Sequence, residues 1–470
     1  MFLNIIKKYN WYICLFLICL VLRIFCGYYS HYTEDEARLW QLGFYAFKDM
    51  SPINHGMPVV YSNSLIPGYF QSLFASIPMF FSTSPFSMIV YIQFLNLIFC
   101  VFLYLWITFL FKQFKNIYVF AFIIFSPWNI YFSNAWNASL ATFFSLFVIL
   151  GLTLVFYKKH VNFGVFLCLL IPPLALQTNL QFLIIIVLLG VLFLIKLFPF
   201  PRINVLVFSQ IPAILTLYPY FLIKLNLVKL DEPTWGFLDS ASKNLKLDFY
   251  NLLNAPHTFY KLMSFSTGDL YNRFEKGFLS DNLYLIPLLF IIELLSFIII
   301  FINVSFYFSK KRWSILFNVR NLAKNNKLTI MDKFDIICLI VPIIIVFLSL
   351  FSVTKKLPNH SLLCVFFVSF YILFRRLSEL KFDFLDKYKK IIIFYISIAA
   401  VYSVIASASF RTTYDMYKKI APVYCKSQDI KYAIENSGFK TLIKENLYSG
   451  MAYTSSLLCP YYNSLKNGNL

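Results

Sequence analysis

The sequence predicts an all-α polytopic membrane protein, and three observations support that fold class. Hydrophobic residues make up 60% of the 470-residue chain, and the mean hydropathy is +0.70. Charged residues make up only 13%, whereas a soluble protein has about a quarter of its residues charged. Long apolar segments recur along the chain between short basic connections. These features exclude a water-soluble globule, a disordered chain and a disulfide-rich secreted scaffold.

Eleven apolar segments are long enough, or nearly so, to cross a hydrocarbon core of about 30 Å. We expect transmembrane helices at residues 11–27, 86–111, 117–135, 138–157, 161–177, 180–196, 204–223, 283–306, 334–353, 361–374 and 391–408. The first segment lacks a small-residue cleavage site after it, which predicts a retained anchor and not a cleaved signal peptide.

The net charge of +20 is concentrated in the connections on one side of the predicted spans. Lys158-Lys159, the run from Lys310 to Lys333 and the cluster from Arg375 to Lys390 all fall on the side of the N-terminus. By the positive-inside rule this side is cytoplasmic, which places the C-terminus outside. The excess charge therefore indicates topology and not nucleic-acid binding.

Three regions on the outer side are longer than turns, at residues 28–85, 225–282 and 409–470. We therefore expect a transmembrane domain, 1–408, that carries the first two regions as outer loops. A small extracytoplasmic C-terminal domain, 409–470, follows it. In the second loop, Lys243, Lys246 and Lys261 are typical of a solvated face.

The C-terminal domain holds Cys425 and Cys459, which lie on the side where disulfides persist. A bridge between them is one interpretation, and two free thiols are the other. One helix is predicted in this domain, with Ser427 as its N-cap and Gly438 at its end.

The first outer loop is predicted to begin with an amphipathic helix at the membrane surface. Leu39, Leu42, Ala46 and Phe47 recur at helical spacing. The helix would start just after Thr33, a residue type that commonly caps helices.

Three consecutive carboxylates, Glu34, Asp35 and Glu36, lie at the start of this helix. Thr33 and Glu36 fit a capping box, and Glu34 with Arg38 fits an i,i+4 ion pair. A cap explains one carboxylate but not three, because neighbouring like charges disfavour joint ionisation. We therefore expect Asp35 or Glu36 to be catalytic, with helix capping alone as the alternative.

A basic cluster lies on the outer side between two late spans, at Lys355, Lys356 and His360. Positive charge on this side opposes the topological bias, which favours a binding site for an anion such as a lipid phosphate. Anchoring at lipid head groups is the alternative. Arg273 in the second outer loop is a further candidate for the same role.

The acidic cluster also has histidines on both sides, His31 and His55. Imidazole and carboxylate groups are ligands that divalent metals accept, so the sequence leaves a divalent-metal cofactor open here. No other cofactor is predicted, and the cysteines show no zinc-site spacing.

Several motifs follow one another between about residues 25 and 380. They are Asp35-Glu36 opening a helix, Ile66–Phe70, Ser126–Ser133 followed by Trp136-Asn137, Leu176–Asn179, and Pro358–His360. In order and topology they resemble C-type membrane glycosyltransferases, most closely the bacterial protein O-mannosyltransferase and aminoarabinose transferase group (glycosyltransferase family 39 and its neighbours). The chain departs from that pattern where Asn134 or Asn137, Ser64 and Asn179 replace an acid, a lysine and a histidine.

The resemblance implies a bacterial inner-membrane glycosyltransferase of the C-type fold that takes a sugar from a polyprenyl-phosphate donor in the outer leaflet. The sugar would pass, with inversion, to a hydroxyl of a lipid, glycan or protein acceptor. Asp35 would be the general base, and Glu36 would orient it or the acceptor, or cap the helix. The expected donor-phosphate ligands are Lys355, Lys356, His360 and Arg273, and the expected acceptor-side residues are Glu34, Arg38, Tyr61, Asn134 and Asn137.

Two other functions stay open from the sequence. A multi-pass transporter or lipid flippase would carry ionisable residues near mid-membrane, and Arg23 and Glu293 lie within predicted spans. A non-catalytic glycan-assembly partner would fit the missing second carboxylate.

Overall fold

The structure is a computed structural model, and a two-stranded hairpin is the one sheet among its described residues. Those residues are 2–30, 32–53, 55–58, 65–126, 137–224, 249–264, 283, 286–324, 327–350, 359–379, 389–408, 413–439 and 447–466. The hairpin pairs β1 (His55–Pro58) with β2 (Leu65–Pro67) in antiparallel fashion, and helices dominate the rest. The fold is thus compatible with the predicted all-α membrane protein.

Nineteen α-helices follow in chain order among the described residues. The first ten are α1 (Phe2–Tyr29), α2 (Glu34–Lys48), α3 (Phe70–Ser76), α4 (Pro85–Leu110), α5 (Ile117–Ile124), α6 (Leu140–Phe156), α7 (Val161–Leu176), α8 (Leu183–Leu194), α9 (Ile203–Lys224) and α10 (Ala255–Ser264). The others are α11 (Ile286–Ser305), α12 (Lys310–Phe317), α13 (Val319–Lys324), α14 (Ile330–Ser349), α15 (Phe367–Glu379), α16 (Lys389–Ala408), α17 (Tyr414–Ser427), α18 (Ile430–Asn436) and α19 (Tyr448–Lys466). Short 3-10 turns lie at Ile77–Phe80, Lys112–Phe114, Asn137–Ser139, Leu180–Phe182, Phe249–Asn254, Phe306–Phe308 and Asn359–Val365.

Helical structure is present at each of the eleven predicted spans, but the helices differ in length and polarity. Within the described residues, four segments are long and apolar enough to cross a membrane: Asn10–Tyr29, Pro85–Leu110, Asn137–Phe156 and Ile286–Phe308. Shorter apolar helices lie at Phe70–Phe80, Val161–Leu176, Leu180–Leu194, Ile203–Tyr218 and Ile393–Ile405. Helix α14 is long enough but carries Asp332, Lys333 and Asp335 in its first turns. The apolar helices support a membrane protein, and the number of spans stays a prediction.

Local sequence signals explain where two of the long helices begin. Ser84 caps α4 by accepting a hydrogen bond from the Phe86 N–H, and Pro85 occupies the first helical position. Thr329 and Asp332 form a capping box at the start of α14. Each helix therefore starts at a local capping signal.

Helices α6 and α7 pack closely through a pair of glycines. A Cβ added at Gly151 would lie 2.8 Å from the Gly164 carbonyl oxygen, and one added at Gly164 would lie 2.6 Å from the Gly151 oxygen. Only glycine allows so close a backbone approach, and small residues commonly mediate such contacts between membrane helices.

The connections predicted on the cytoplasmic side meet at one end of the bundle, called here the basic end. Arg312 of α12 pairs with Asp335 of α14 and with Glu379 of α15. Arg375 of α15 also pairs with Asp335, at 3.2 Å. Arg320 donates a hydrogen bond to a carbonyl at the end of α8. The opposite end, called here the α2 end, holds α2, the hairpin and the C-terminal helices.

The C-terminal region forms a three-helix unit that docks on the α2 end. A disulfide joins Cys425 of α17 to Cys459 of α19, so the bridged alternative is confirmed. The Tyr28 hydroxyl of α1 donates to Asp415 at 2.8 Å, and Arg38 of α2 donates to the Tyr453 hydroxyl of α19. The unit is therefore held to both helices that begin the chain.

The predicted tail helix is present as α18, but its cap differs from the prediction. Asp429 accepts hydrogen bonds from the backbone N–H groups of Lys431 and Tyr432, whereas Ser427 is the last residue of α17. The prediction of Ser427 is wrong because the preceding helix runs further than the sequence suggests. Gly438 ends the turn with φ +80°, as predicted.

Part of the second outer region packs among the helices of the bundle. Asn251 donates to the Ser349 carbonyl of α14 at 3.0 Å. Asn303 of α11 and Ser369 of α15 both donate to the Met263 carbonyl at the end of α10. Lys261 on α10 is buried and does not lie on the expected solvated face, because α11, α14 and α15 surround this helix.

Candidate functional site

The acidic cluster lies at the first turn of α2, and its three carboxylates occupy three different environments. Glu34 is exposed, Asp35 is half-buried and Glu36 is only 2% exposed. Consecutive helix positions point about 100° apart, which separates the three side chains. The Glu36 carboxylate accepts hydrogen bonds from the Thr33 N–H and hydroxyl, so the predicted capping box is confirmed.

Glu36 faces the C-terminal helices. Burial raises the pKa of the Glu36 carboxyl above its ordinary value, although the hydrogen bonds from Thr33 act in the opposite direction. Burial also raises the pKa of Tyr417 on α17 to about 12, and the neighbouring Glu36 charge adds to that shift. The same carboxylate contributes to the raised pKa of Tyr32, which burial dominates. Glu36 is thus a buried cap beneath the C-terminal unit.

Asp35 begins a different face of the same helix. Leu39 and Leu42, four and seven residues further on, are buried, as is Ala46. Helix α2 contacts α3, β1 and the turn Asn137–Ser139. Asp35 is therefore the half-buried carboxylate at the edge where α2 meets the bundle.

Three short polar segments surround this region and contact one another. Asn137 donates to the Thr178 carbonyl at 3.1 Å. Gln181 donates to the Ala138 carbonyl, and its own side-chain oxygen accepts from the Cys364 N–H at 3.1 Å. The turns that contain residues 137, 180 and 360 thereby meet at the α2 end, although they are far apart in sequence.

A buried layer of amide and hydroxyl side chains lies beneath these turns. Gln177 donates to the Thr216 hydroxyl of α9 at 2.8 Å, and the Tyr69 N–H donates to the Thr216 carbonyl at 3.1 Å. Thr142 of α6 donates to Asn96 of α4. Gln71, Gln93 and Gln181 are also buried.

Most of this layer was not predicted from the sequence, although amide side chains inside apolar segments are an available signal. Such groups are retained in membrane proteins when they have partners in the folded state.

Gly68 permits the close approach between the β2 end and this layer. Its φ is +95°, a conformation that residues with a Cβ rarely adopt. A Cβ at this position would lie 2.2 Å from the Gln177 side-chain oxygen and 3.1 Å from the Thr216 carbonyl oxygen. The Ile66–Phe70 motif therefore has a structural reason for its glycine.

The structure describes only some of the other predicted site residues. Arg38 contacts Tyr453 of the C-terminal unit, and Asn137 lies in the polar turn beside α2. The backbones of His360 and His55 lie in a 3-10 turn and in β1, and their side chains lie outside the described part. The remaining predicted residues lie outside the described ranges: Lys355, Lys356, Arg273, Tyr61, Asn134 and His31.

The two ionisable residues that the sequence placed within spans lie on separate helices. Arg23 of α1 is only 1% exposed, and its guanidinium lies beside the thiols of Cys19 and Cys100. Glu293 of α11 is half-buried and lies near Tyr395 of α16. Arg23 is thus a buried charge in the bundle.

Comparison with protein-family models, curated proteins and solved structures finds no match to this chain. The resemblance to membrane glycosyltransferases therefore stays a prediction from its motifs.

Proposed function

We propose that this protein is an integral-membrane glycosyltransferase that moves a sugar from a polyprenyl-phosphate donor to an acceptor hydroxyl. The observation that carries the proposal is the meeting of distant elements at the α2 end. Helix α2, which begins with the acidic cluster, the Asn137–Ser139 turn and the Asn359–Val365 turn lie far apart in sequence and form one connected group. A site for a large lipid-linked substrate needs such convergence.

In the proposed reaction, Asp35 is the general base. It takes the proton of the acceptor hydroxyl as that oxygen attacks the anomeric carbon, and the bond to the donor phosphate breaks with inversion. Its half-buried position at the edge of the buried face of α2 supports this role, since a partly desolvated carboxylate is a stronger base than a fully solvated one. Glu36 contributes by fixing the first turn of α2.

The leaving group of this reaction is a phosphate, which needs positive charge more than it needs a general acid. We propose that Lys355, Lys356, His360 and Arg273 supply that charge. The position of the Asn359–Val365 turn beside Asn137–Ser139 supports a role for His360, because the second of these turns contacts α2.

Lipid analysis of cells tests the proposal even while the acceptor is unidentified. Polyprenyl-phosphate sugars would be quantified by mass spectrometry in extracts from a wild-type strain, a deletion strain and a complemented strain. The proposal predicts that one such lipid accumulates in the deletion strain and returns to the wild-type level on complementation.

The alternatives predict other outcomes. Unchanged polyprenyl-phosphate sugars in the deletion strain would reject the proposal and favour a transporter of a different substrate. Accumulation confined to the inner leaflet would favour a flippase, for which the buried Arg23 is the residue to examine next. Accumulation together with no turnover by the purified protein would favour a non-catalytic assembly partner.

A further inference from the structure

A cavity of about 600 Å³ opens at the basic end, away from the proposed catalytic site. Three connections form its wall: the turn after α6, the segment after α8 and the start of α14. Each connection contributes one lysine, namely Lys158, Lys196 and Lys333. The described lining contains no aspartate or glutamate, so the cavity is positively charged.

The three lysines are held at different depths. Lys333 is half-buried, donates a hydrogen bond to the Phe156 carbonyl at 3.3 Å and lies 5.4 Å from the centre of the Phe156 ring. Lys158 and Lys196 are exposed at the rim. One ammonium group therefore lies at the floor and two lie at the entrance, an arrangement that suits an anion entering from the surface.

Both rim lysines occupy backbone positions that favour glycine. Lys158 has φ +57° and Lys196 has φ +61°, and each follows the C-cap residue of its helix. Glycine is the usual residue there because a Cβ destabilises the left-handed conformation. The chain has a lysine at both places, which keeps two ammonium groups over the cavity.

An apolar groove of about 420 Å³ lies next to the basic cavity, between α7, α8 and α9. Leu169, Ile186 and Phe193 are among its lining residues. Residues 196–201 separate the cavity from the groove and line both. Lys196, Leu197 and Pro199 line the cavity. Phe198, Phe200 and Pro201 line the groove. A charged compartment thus adjoins an apolar one, as an amphiphile requires.

We infer that the cavity and the groove together bind an anionic phospholipid, with its phosphate at the three lysines and an acyl chain in the groove. Ammonium groups form charge-assisted hydrogen bonds to phosphate oxygens. Basic pockets between membrane helices on the cytoplasmic side are typical sites for anionic head groups. The site is separate from the proposed sugar donor site at the α2 end.

Native mass spectrometry of the full-length protein in detergent tests this inference with two probes, phosphatidylglycerol and phosphatidylcholine. We expect the wild type to retain phosphatidylglycerol in clear preference to phosphatidylcholine. The double variant K158G/K196G keeps the backbone conformation and removes two charges. It should lose about thirtyfold in phosphatidylglycerol affinity, since each lysine near a head group contributes roughly a fivefold factor.

A matched control removes the same charge elsewhere at the basic end. Lys112 and Lys115 are exposed in the connection between α4 and α5 and do not line the cavity. The variant K112Q/K115Q should therefore bind phosphatidylglycerol as the wild type does. Equal losses in both double variants would reduce the effect to general surface charge and overturn the inference.

A third variant tests the groove alone. Gly190 lines the groove, and a Cβ added there meets nothing within 4 Å. Gly190→Leu should fill the groove and reduce phospholipid retention while the melting temperature stays unchanged or rises, because leucine is a better helix former. Unchanged retention in this variant would overturn the placement of the acyl chain.

Two further outcomes would contradict the inference as a whole. Displacement of phosphatidylglycerol by millimolar inorganic phosphate would show that a soluble phosphate compound is the ligand. Wild-type lipid binding by K158G/K196G would show that the two lysines only stabilise the ends of their helices.

Discussion

Glu36 accepts two hydrogen bonds from Thr33, one from the backbone N–H and one from the hydroxyl, each 2.7 Å long. This pair fixes the first turn of α2 directly beside Asp35. Glu36 is therefore a buried cap, whereas the neighbouring Asp35 is half-buried at the edge of the bundle. Under the proposed function the two adjacent acids have separate roles, Glu36 as the helix cap and Asp35 as the general base.

The Glu36→Gln variant should show how the ionisation of Glu36 affects stability, because glutamine can still accept hydrogen bonds but carries no charge at any pH. Burial raises the pKa of Glu36 above 4.5, so the folded state holds the proton more tightly than the unfolded state. Wild-type stability therefore falls as pH rises from about 4.5 through the raised pKa, whereas a glutamine does not ionise. The melting temperature of the variant minus that of the wild type should become more positive from about pH 4.5 to pH 7.5. A constant or falling difference, measured by scanning fluorimetry, would contradict the burial argument.

The ion pairs at the basic end should contribute strongly to stability. Asp335 is nearly fully buried and pairs with Arg312 and Arg375. Asp335→Asn would remove the buried carboxylate that both arginines share and leave them only the more exposed Glu379, so we expect a loss of about 3–5 kcal/mol in the free energy of unfolding. Lys419→Gln, which breaks the more exposed pair with Asp415, is the control and should change it by less than about 1 kcal/mol. Similar losses in both variants would contradict the importance of burial.

The disulfide should stabilise the C-terminal unit. Cys425 and Cys459 are 34 residues apart, and closing a loop of that length contributes about 3–4 kcal/mol. The double variant C425S/C459S should therefore be cleaved sooner within residues 413–466 in limited proteolysis. The control replaces Cys14, a free cysteine of α1, by serine. Unchanged cleavage in the double variant would show that docking on α1 and α2 alone holds the unit.

A Gly68→Ala variant tests whether the contact between β2 and the buried polar layer matters for stability and activity. Gly68→Ala requires a left-handed alanine and places its Cβ against Gln177, so we expect a loss of about 1–3 kcal/mol and of any activity that depends on the α2 end. Gly438→Ala is the control, because Gly438 also has a positive φ but a Cβ there meets nothing within 4 Å. Equal effects of the two variants on activity would show that backbone strain alone matters and that the Gln177 contact does not.

Local patterns predicted the helices and the capping box at Thr33 and left the Cys425–Cys459 bridge as one of two alternatives, because these features depend on nearby residues or on residue type. Other features depend on contacts between distant segments. Arg312, Asp335 and Arg375 individually resemble ordinary loop or span-end charges, and only the fold shows that they form a buried group. The prediction that Lys261 lies on a solvated face is wrong for the same reason. Its burial comes from three helices that follow it in sequence.

In the candidate site, too, some features follow from local sequence and others depend on contacts between distant segments. The position of Asp35 at a helix start follows from the sequence, and its half-buried environment does not. The docking of the C-terminal unit over Glu36 depends on Tyr417 and on α19, about 400 residues further along the chain. Gln177 and Thr216 become partners only because α7 and α9 pack together.

The most direct test of the central claim compares Asp35→Asn with Asp49→Asn in the deletion strain. Both variants replace an aspartate of the α2 region by asparagine, but Asp35 is half-buried at the helix start and Asp49 is the exposed C-cap residue. At equal protein levels, Asp35→Asn should lower the rate of donor consumption at least about a hundredfold and leave the polyprenyl-phosphate sugar accumulated. Asp49→Asn should restore the wild-type lipid profile. Full restoration by Asp35→Asn would contradict the assignment of Asp35 as the general base.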